Sequence, residues 1–128
     1  MPFALNQVGQ IAMNVASADR SEAFYGSTLG VRKLFRFGGI VFFDCGVRLM
    51  LSQAQPGQRV EPGSPIYFKV ADIALARREL EGRGVTFVDE IHLVSPMEDH
   101  DLWMTFFKDP DEHLLALMSE TPKGYKPV

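Results

Sequence analysis

Along residues 10–15, Ile11, Met13 and Val15 fall on one side of an alternating pattern and Gln10, Ala12 and Asn14 on the other, which predicts a half-buried strand. Asp19-Arg20-Ser21-Glu22 has the form of a capping box, with Asp in place of Ser or Thr, and opens a helix. Phe24, Tyr25 and Leu29 supply its apolar face and Gly30 its C-terminal cap. Residues 31–37 read as a strand stopped by Gly38-Gly39, and residues 40–44 and 47–52 as a hairpin around Cys45-Gly46. Two Pro-Gly pairs mark residues 53–63 as a linker. Residues 66–70 predict a strand with Pro65 at its first position, and Asp72 caps a helix carrying Ile73, Ala76 and Leu80 that ends near residues 82–84. Strands are expected over 86–94, 102–107 and 114–119, with Asp109-Pro110-Asp111 turning between the last two. Residues 120–128 hold two prolines and no periodicity, which suits a surface tail.

The two halves share one plan. Residues 11–16 begin a strand, a helix follows, and Leu29-Gly30-Val31 closes it. Residues 66–71 begin another strand, a helix follows, and Arg83-Gly84-Val85 closes that. Such a repeat at a fixed offset is the mark of a duplicated supersecondary unit. Two such halves can enclose a concave surface, the common setting for small ligands. The expected division is a first βαβββ module over 7–52, the linker over 53–63, a second module over 64–119, and the tail.

At 128 residues, 46% of them hydrophobic, the chain makes one domain or two half-domains sharing a core. No apolar run is long enough to span a membrane, and the start of the chain has none of a signal peptide's basic and apolar regions. The formal charge of −3 and the absence of a Lys/Arg cluster argue against nucleic acid as partner. Cys45 is the single cysteine, so no intrachain disulfide forms; it reads as a buried strand thiol, and a reducing, cytoplasmic setting fits.

Strand, helix and three strands, twice over, together with Ala23-Phe24-Tyr25, Leu29-Gly30-Val31 and Phe107-Lys108-Asp109-Pro110-Asp111 leading into Leu114-Leu115-Ala116-Leu117, resembles the vicinal oxygen chelate superfamily over about residues 7–119. That group includes glyoxalase I, extradiol dioxygenases, methylmalonyl-CoA epimerase, fosfomycin-resistance enzymes and bleomycin-binding proteins. The resemblance implies an α+β fold of two tandem βαβββ modules forming an open cup. In metal-dependent members four inward positions carry His, Glu, His and Glu. Carried onto this chain, they fall on Gln10, Met50, Pro65 and Ala116. None is an imidazole or carboxylate, and no neighbour one residue away supplies one, so no metal is expected at the usual place.

By alternation Gln10, Ala12, Asn14, Met50, Ser52, Tyr67, Lys69, Ala116 and Met118 should face the cup. Gln10, Asn14, Met50, Tyr67 and Lys69 are therefore the candidate ligand contacts, with packing the alternative for Tyr67 and Met50. Lys69 neutralises an anionic ligand or snorkels to the rim. Trp103 is a further candidate as a stacking platform, or else a core or dimer residue. The three histidines, His92, His100 and His113, all lie late in the chain. His92 and His100, with Glu98 or Asp99, are candidate catalytic residues or a displaced divalent-metal site if a hairpin joins them; otherwise they belong to a charged surface loop. His113 is expected in a solvent-facing turn. Two functions remain open: a metal-free cup binding a small apolar or anionic molecule, or a non-standard lyase, isomerase or dioxygenase. Sheet edges that need cover, and the habit of the relatives, predict a homodimer.

Overall fold

The computed structural model describes residues 3–128, with the side chain of Pro96 excepted. The chain divides into two compact units, the first ending at Glu61 and the second running from Pro62 to Val128. In the first, strand β1 (Gln10–Val15) leads into helix α1 (Ala18–Glu22), which continues as a π-helical stretch (Ala23–Thr28). Strands β2 (Arg32–Phe37), β3 (Ile40–Asp44) and β4 (Arg48–Gln53) follow. In the second, β5 (Ile66–Lys69) leads into helix α2 (Ile73–Gly82) and then into β6 (His92–Pro96), β7 (Asp101–Lys108) and β8 (Leu114–Thr121).

Both units contain one four-stranded mixed sheet of the same topology. Its order is β1-β4-β3-β2 in the first and β5-β8-β7-β6 in the second, with β1 parallel to β4 and β5 parallel to β8. The expected βαβββ duplication is therefore present strand for strand. Period-2 alternation sorts each sheet into two faces. Met13, Val15, Val41, Phe43, Leu49 and Leu51 are buried and form the core of the first unit with Ala18 and Tyr25. Leu115, Leu117, Phe107 and Thr105 are buried with Ile73, Ala74 and Leu80 of α2 in the second. The opposite face of each sheet is the one left open.

Several elements differ from their sequence patterns. The α1 cap is Ser17, whose hydroxyl accepts from the Arg20 N–H at 3.1 Å, so Asp19 is not the cap. Freed from capping, Asp19 accepts from Arg36 at 2.7 Å. Asp72 does cap α2, accepting from the Leu75 N–H at 3.0 Å. Strand 86–94 is the largest correction. Only Phe87 bridges to β7, and β6 starts at His92. The Asp89 carboxylate explains why: Oδ1 takes the Phe106 N–H at 2.8 Å, replacing the backbone partner that a continuing strand would supply. Strand β5 starts at Ile66, one residue after Pro65, and β8 runs on to Thr121, shortening the tail.

Cys45 is exposed in the β3–β4 turn, not buried in a strand, because Gly46 there has φ 97° and turns the chain outward. Partial burial of the sulfur and the nearby Asp44 still hold the thiol pKa above its ordinary value. His113 is buried at 2% exposure, not solvent-facing. Asp109 folds the turn inward, its Oδ1 accepting from the N–H groups of Asp111 and His113 at 2.9 and 2.8 Å.

Candidate functional site

On the open face of the first sheet, the ladder sets three rows across β1, β4 and β3. They are Gln10–Arg48–Asp44, Ala12–Met50–Phe42 and Asn14–Ser52–Ile40. Phe35 extends the middle row on β2, its ring stacked 4.5 Å from that of Phe42. Gln10 is committed at both ends: its Oε1 accepts from Arg48 Nε at 2.8 Å and its amide nitrogen donates to Met50 Sδ at 3.7 Å. The Arg48 guanidinium lies 5.5 Å from the Phe42 ring centroid. Gln10, Asn14 and Met50 thus share one exposed face. Arg48 joins them there, and sequence reading missed it although it lies two positions before Met50 on the same side of the alternation.

The open face of the second sheet carries Tyr67, Ala116 and Phe106 in one row and Lys69, Met118, Met104 and His92 in the next. The Tyr67 and Phe106 rings meet edge-on at 5.9 Å, and the His92 ring stacks on Phe106 at 6.2 Å. Lys69 is not a free cation. Its Nζ lies 2.7 Å from Glu120 Oε1, and this contact, first among several, holds the Glu120 carboxyl below its ordinary pKa. His100 Nε2 lies 2.9 Å from the other Glu120 oxygen, though off the line a hydrogen bond requires, and its Nδ1 lies 2.7 Å from Asp99. The Asp99 pKa is lowered chiefly by that imidazole. A polar chain Asp99–His100–Glu120–Lys69 therefore runs from the β6–β7 turn to the rim of the open face.

Two candidates are placed differently. Trp103 pairs with Ser119 on the helix-facing side, and its indole N–H donates to Thr121 at 3.0 Å, so it is not a platform on the open face. An odd-numbered β7 position could not share a face with Phe106 and Met104. His92 and His100 do not converge. His92 sits opposite Met104, whereas His100 immediately precedes Asp101 at the far end of the hairpin, about 13 Å of strand away. His92 instead bonds the Glu90 carbonyl at 2.9 Å through Nδ1.

The four positions onto which the resemblance carries the metal ligands hold an amide already engaged (Gln10), a thioether (Met50), a pyrrolidine ring ahead of β5 (Pro65) and a fully buried methyl (Ala116). That donor set does not fit a hard or borderline divalent ion. Among the described residues no three of His, Cys, Asp and Glu gather as ligands elsewhere. On the helix side of the first unit, an open groove of about 410 Å³ is lined by Asp19, Glu22, Gly26, Ser27, Lys33 and Arg36. Its charges are paired with one another: Arg36 meets Asp19 and Glu22 at 2.7 and 3.1 Å, and Lys33 meets Glu22 at 3.2 Å. The Arg36 hydrogen bond lowers the Glu22 pKa most, and Asp19 and Glu22 raise that of Arg36.

The family model of the Glyoxalase/Bleomycin resistance protein/Dioxygenase superfamily matches residues 7–117. Among solved structures the chain is similar to a glyoxalase/bleomycin resistance protein/dioxygenase from Nocardioides, with 20% identity, TM-score 0.73, and 99% of this chain and 91% of that one covered. It is similar to a putative glyoxalase family protein from Bacillus anthracis at 18% identity and TM-score 0.74, covering 94% and 100%. A lactoylglutathione lyase from Agrobacterium tumefaciens aligns at 18% identity and TM-score 0.69, covering 90% and 94%. At these identities the likeness is one of fold. No curated protein matches the sequence.

Proposed function

Since the chain belongs to the Glyoxalase/Bleomycin resistance protein/Dioxygenase superfamily, we propose that it binds a small apolar or anionic molecule on its open sheet surfaces without a divalent ion at the superfamily's usual positions. One observation carries this reading. The faces not covered by helices present rings, thioethers and amides (Phe42, Phe35, Met50 and Gln10 in one unit; Tyr67, Phe106 and Met104 in the other) rather than a cluster of imidazoles and carboxylates. Half-exposed aromatic surface with few placed polar groups is the chemistry of a ligand site. The test is calorimetric titration of the purified protein with 2-naphthoate and its neutral carboxamide in excess EDTA. Saturable binding unchanged by the chelator is expected; no binding of either compound, or binding that needs an added divalent metal, overturns the reading.

The polar chain through His100 supports a second reading, acid–base catalysis at the rim of the second sheet. An imidazole held between two carboxylates can carry a proton to or from a substrate at the rim. His92, apart from it, contributes ring stacking on Phe106. His100→Ala should then abolish turnover while the melting temperature stays nearly constant, since such a rim change costs within about 0.5 kcal/mol. Unchanged turnover removes this reading.

We further propose that the protein works as a homodimer in the cytoplasm. Among the described residues no helix is long and apolar enough to cross a membrane. Edge strand β2 exposes Phe37 (76%), surface that a second copy would cover. Sedimentation should give twice the 14.3 kDa chain mass; the single-chain mass at micromolar concentration contradicts it.

A further inference from the structure

We infer that Arg48 is the anion-recognition residue of the open face of the first sheet, and that the ligand is a carboxylate attached to a flat apolar body. The inference rests on the binding reading above and narrows it to a chemical class. Arg48 opens β4 between Gln10 and Asp44 in the ladder. Its Nε is fixed by the Gln10 carbonyl at 2.8 Å, and its guanidinium lies beside the Phe42 ring. Those two contacts hold the planar group in one orientation and leave its terminal nitrogens for a partner.

The carboxylate expected to neutralise it is engaged elsewhere. Asp44 is directly opposite in register, yet its Oδ1 accepts from the Gly46 N–H at 3.0 Å and its Oδ2 lies 3.7 Å from Arg32. Among the described residues, no carboxylate stands within ion-pairing distance of Arg48. Lys69, by contrast, the cation singled out by sequence, is held by Glu120 at 2.7 Å. A guanidinium fixed at Nε and backed by a ring presents its two terminal N–H groups as a fork that matches a carboxylate. Little side-chain freedom remains to be lost when a ligand binds.

The rest of the face defines what is attached to that carboxylate. The next row holds Ala12, Met50, Phe42 and Phe35, an apolar floor about 7 Å along the strands from Arg48. The row beyond it holds Ser52, whose hydroxyl suits an uncharged hydrogen-bonding group at the far end of the ligand. The geometry describes an aryl or acyl carboxylate lying along β4, anion on Arg48 and body over Met50 and Phe42.

The experiment compares 2-naphthoate with 2-naphthamide, on the wild-type protein and on the Arg48→Gln and Arg48→Lys variants. Wild type should favour the acid by about tenfold or more, the size of one charge-assisted contact. Arg48→Gln should erase that preference by weakening the acid far more than the amide, and Arg48→Lys should restore it only in part, because an ammonium lacks the planar fork. Arg48 is exposed, so unchanged circular dichroism and melting temperature confirm that the variants fold. If wild type binds acid and amide equally, or Arg48→Gln keeps the preference, the anion assignment falls and the binding reading stands. If wild type binds neither compound, both fall together.

Discussion

At the scale of single residues, Arg77 is a polar group committed to structure rather than to solvent. It is 14% exposed in its side chain, donates to the Asp89 carbonyl and to Thr105 Oγ1, both at 2.7 Å, and lies 4.6 Å from the Phe87 ring centroid. Thr105 in turn donates to Asp89 Oδ1 at 3.0 Å. Arg77→Ala removes a charged donor from two acceptors and strips packing from Phe87, so unfolding free energy should fall by about 2–3 kcal/mol in urea titrations. Thr105→Val, which keeps the shape but removes the hydroxyl that accepts from Arg77 and donates to Asp89, should cost about 1–2 kcal/mol. None of this network was legible in the sequence: Arg77, Asp89 and Thr105 are far apart in the chain and each reads as an ordinary polar residue. Arg48 was hidden for a related reason. Its alternation placed it on the open face, but its lack of a carboxylate partner depends on where Asp44 points.

At the scale of elements, caps and turns decide boundaries. Ser17 and Asp72 each satisfy an N–H in the first turn of their helices, and either one changed to Ala should cost about 1 kcal/mol, measured by denaturant unfolding. The turn before β8 holds Glu112 at φ 65°, the left-handed region that non-glycine side chains rarely occupy. Asn tolerates that conformation, and the ion pair of Glu112 with Lys108 is long, 3.7 Å, and exposed. Glu112→Asn should therefore stabilise the protein by about 0.5 kcal/mol, seen as a higher urea midpoint; a lower midpoint would show that the turn depends on the Glu side chain. The Asp109-Pro110-Asp111 turn was readable from its residue types, whereas its consequence for His113 was not. Hydrogen bonding of Asp109 back to residues 111 and 113 draws the chain under itself and buries the imidazole.

For the whole molecule, charge makes the clearest prediction. Glu22, Asp99 and Glu120 all have pKa values lowered in the folded state, by Arg36, His100 and Lys69 respectively. A carboxylate that is more acidic when folded adds stability at pH values above its unfolded pKa, and the addition is lost as pH falls through the folded value. Urea midpoints should be steady near neutrality and decline below about pH 4.5, the ordinary Glu value. High salt should soften that decline, because all three groups are partly or largely solvent-exposed and screened. A midpoint that rises on acidification would contradict the sign of these shifts.

The duplicated βαβββ plan, the α+β class and most strand positions followed from the sequence, because apolar alternation and punctuation by Gly, Pro and Asp act over a few residues. That Gln10, Met50, Pro65 and Ala116 are neither imidazoles nor carboxylates is likewise a property of residue identity. Tertiary structure alone decided partners. Backbone replacement by Asp89 ended a strand that its composition favours. Hairpin register set His92 and His100 at opposite ends of one ladder, and strand parity turned Trp103 to the helix side. Glu120 took Lys69, while Gly46 and Arg32 took Asp44 and left Arg48 to face outward. These outcomes depend on distances between residues remote in sequence, which local pattern does not encode.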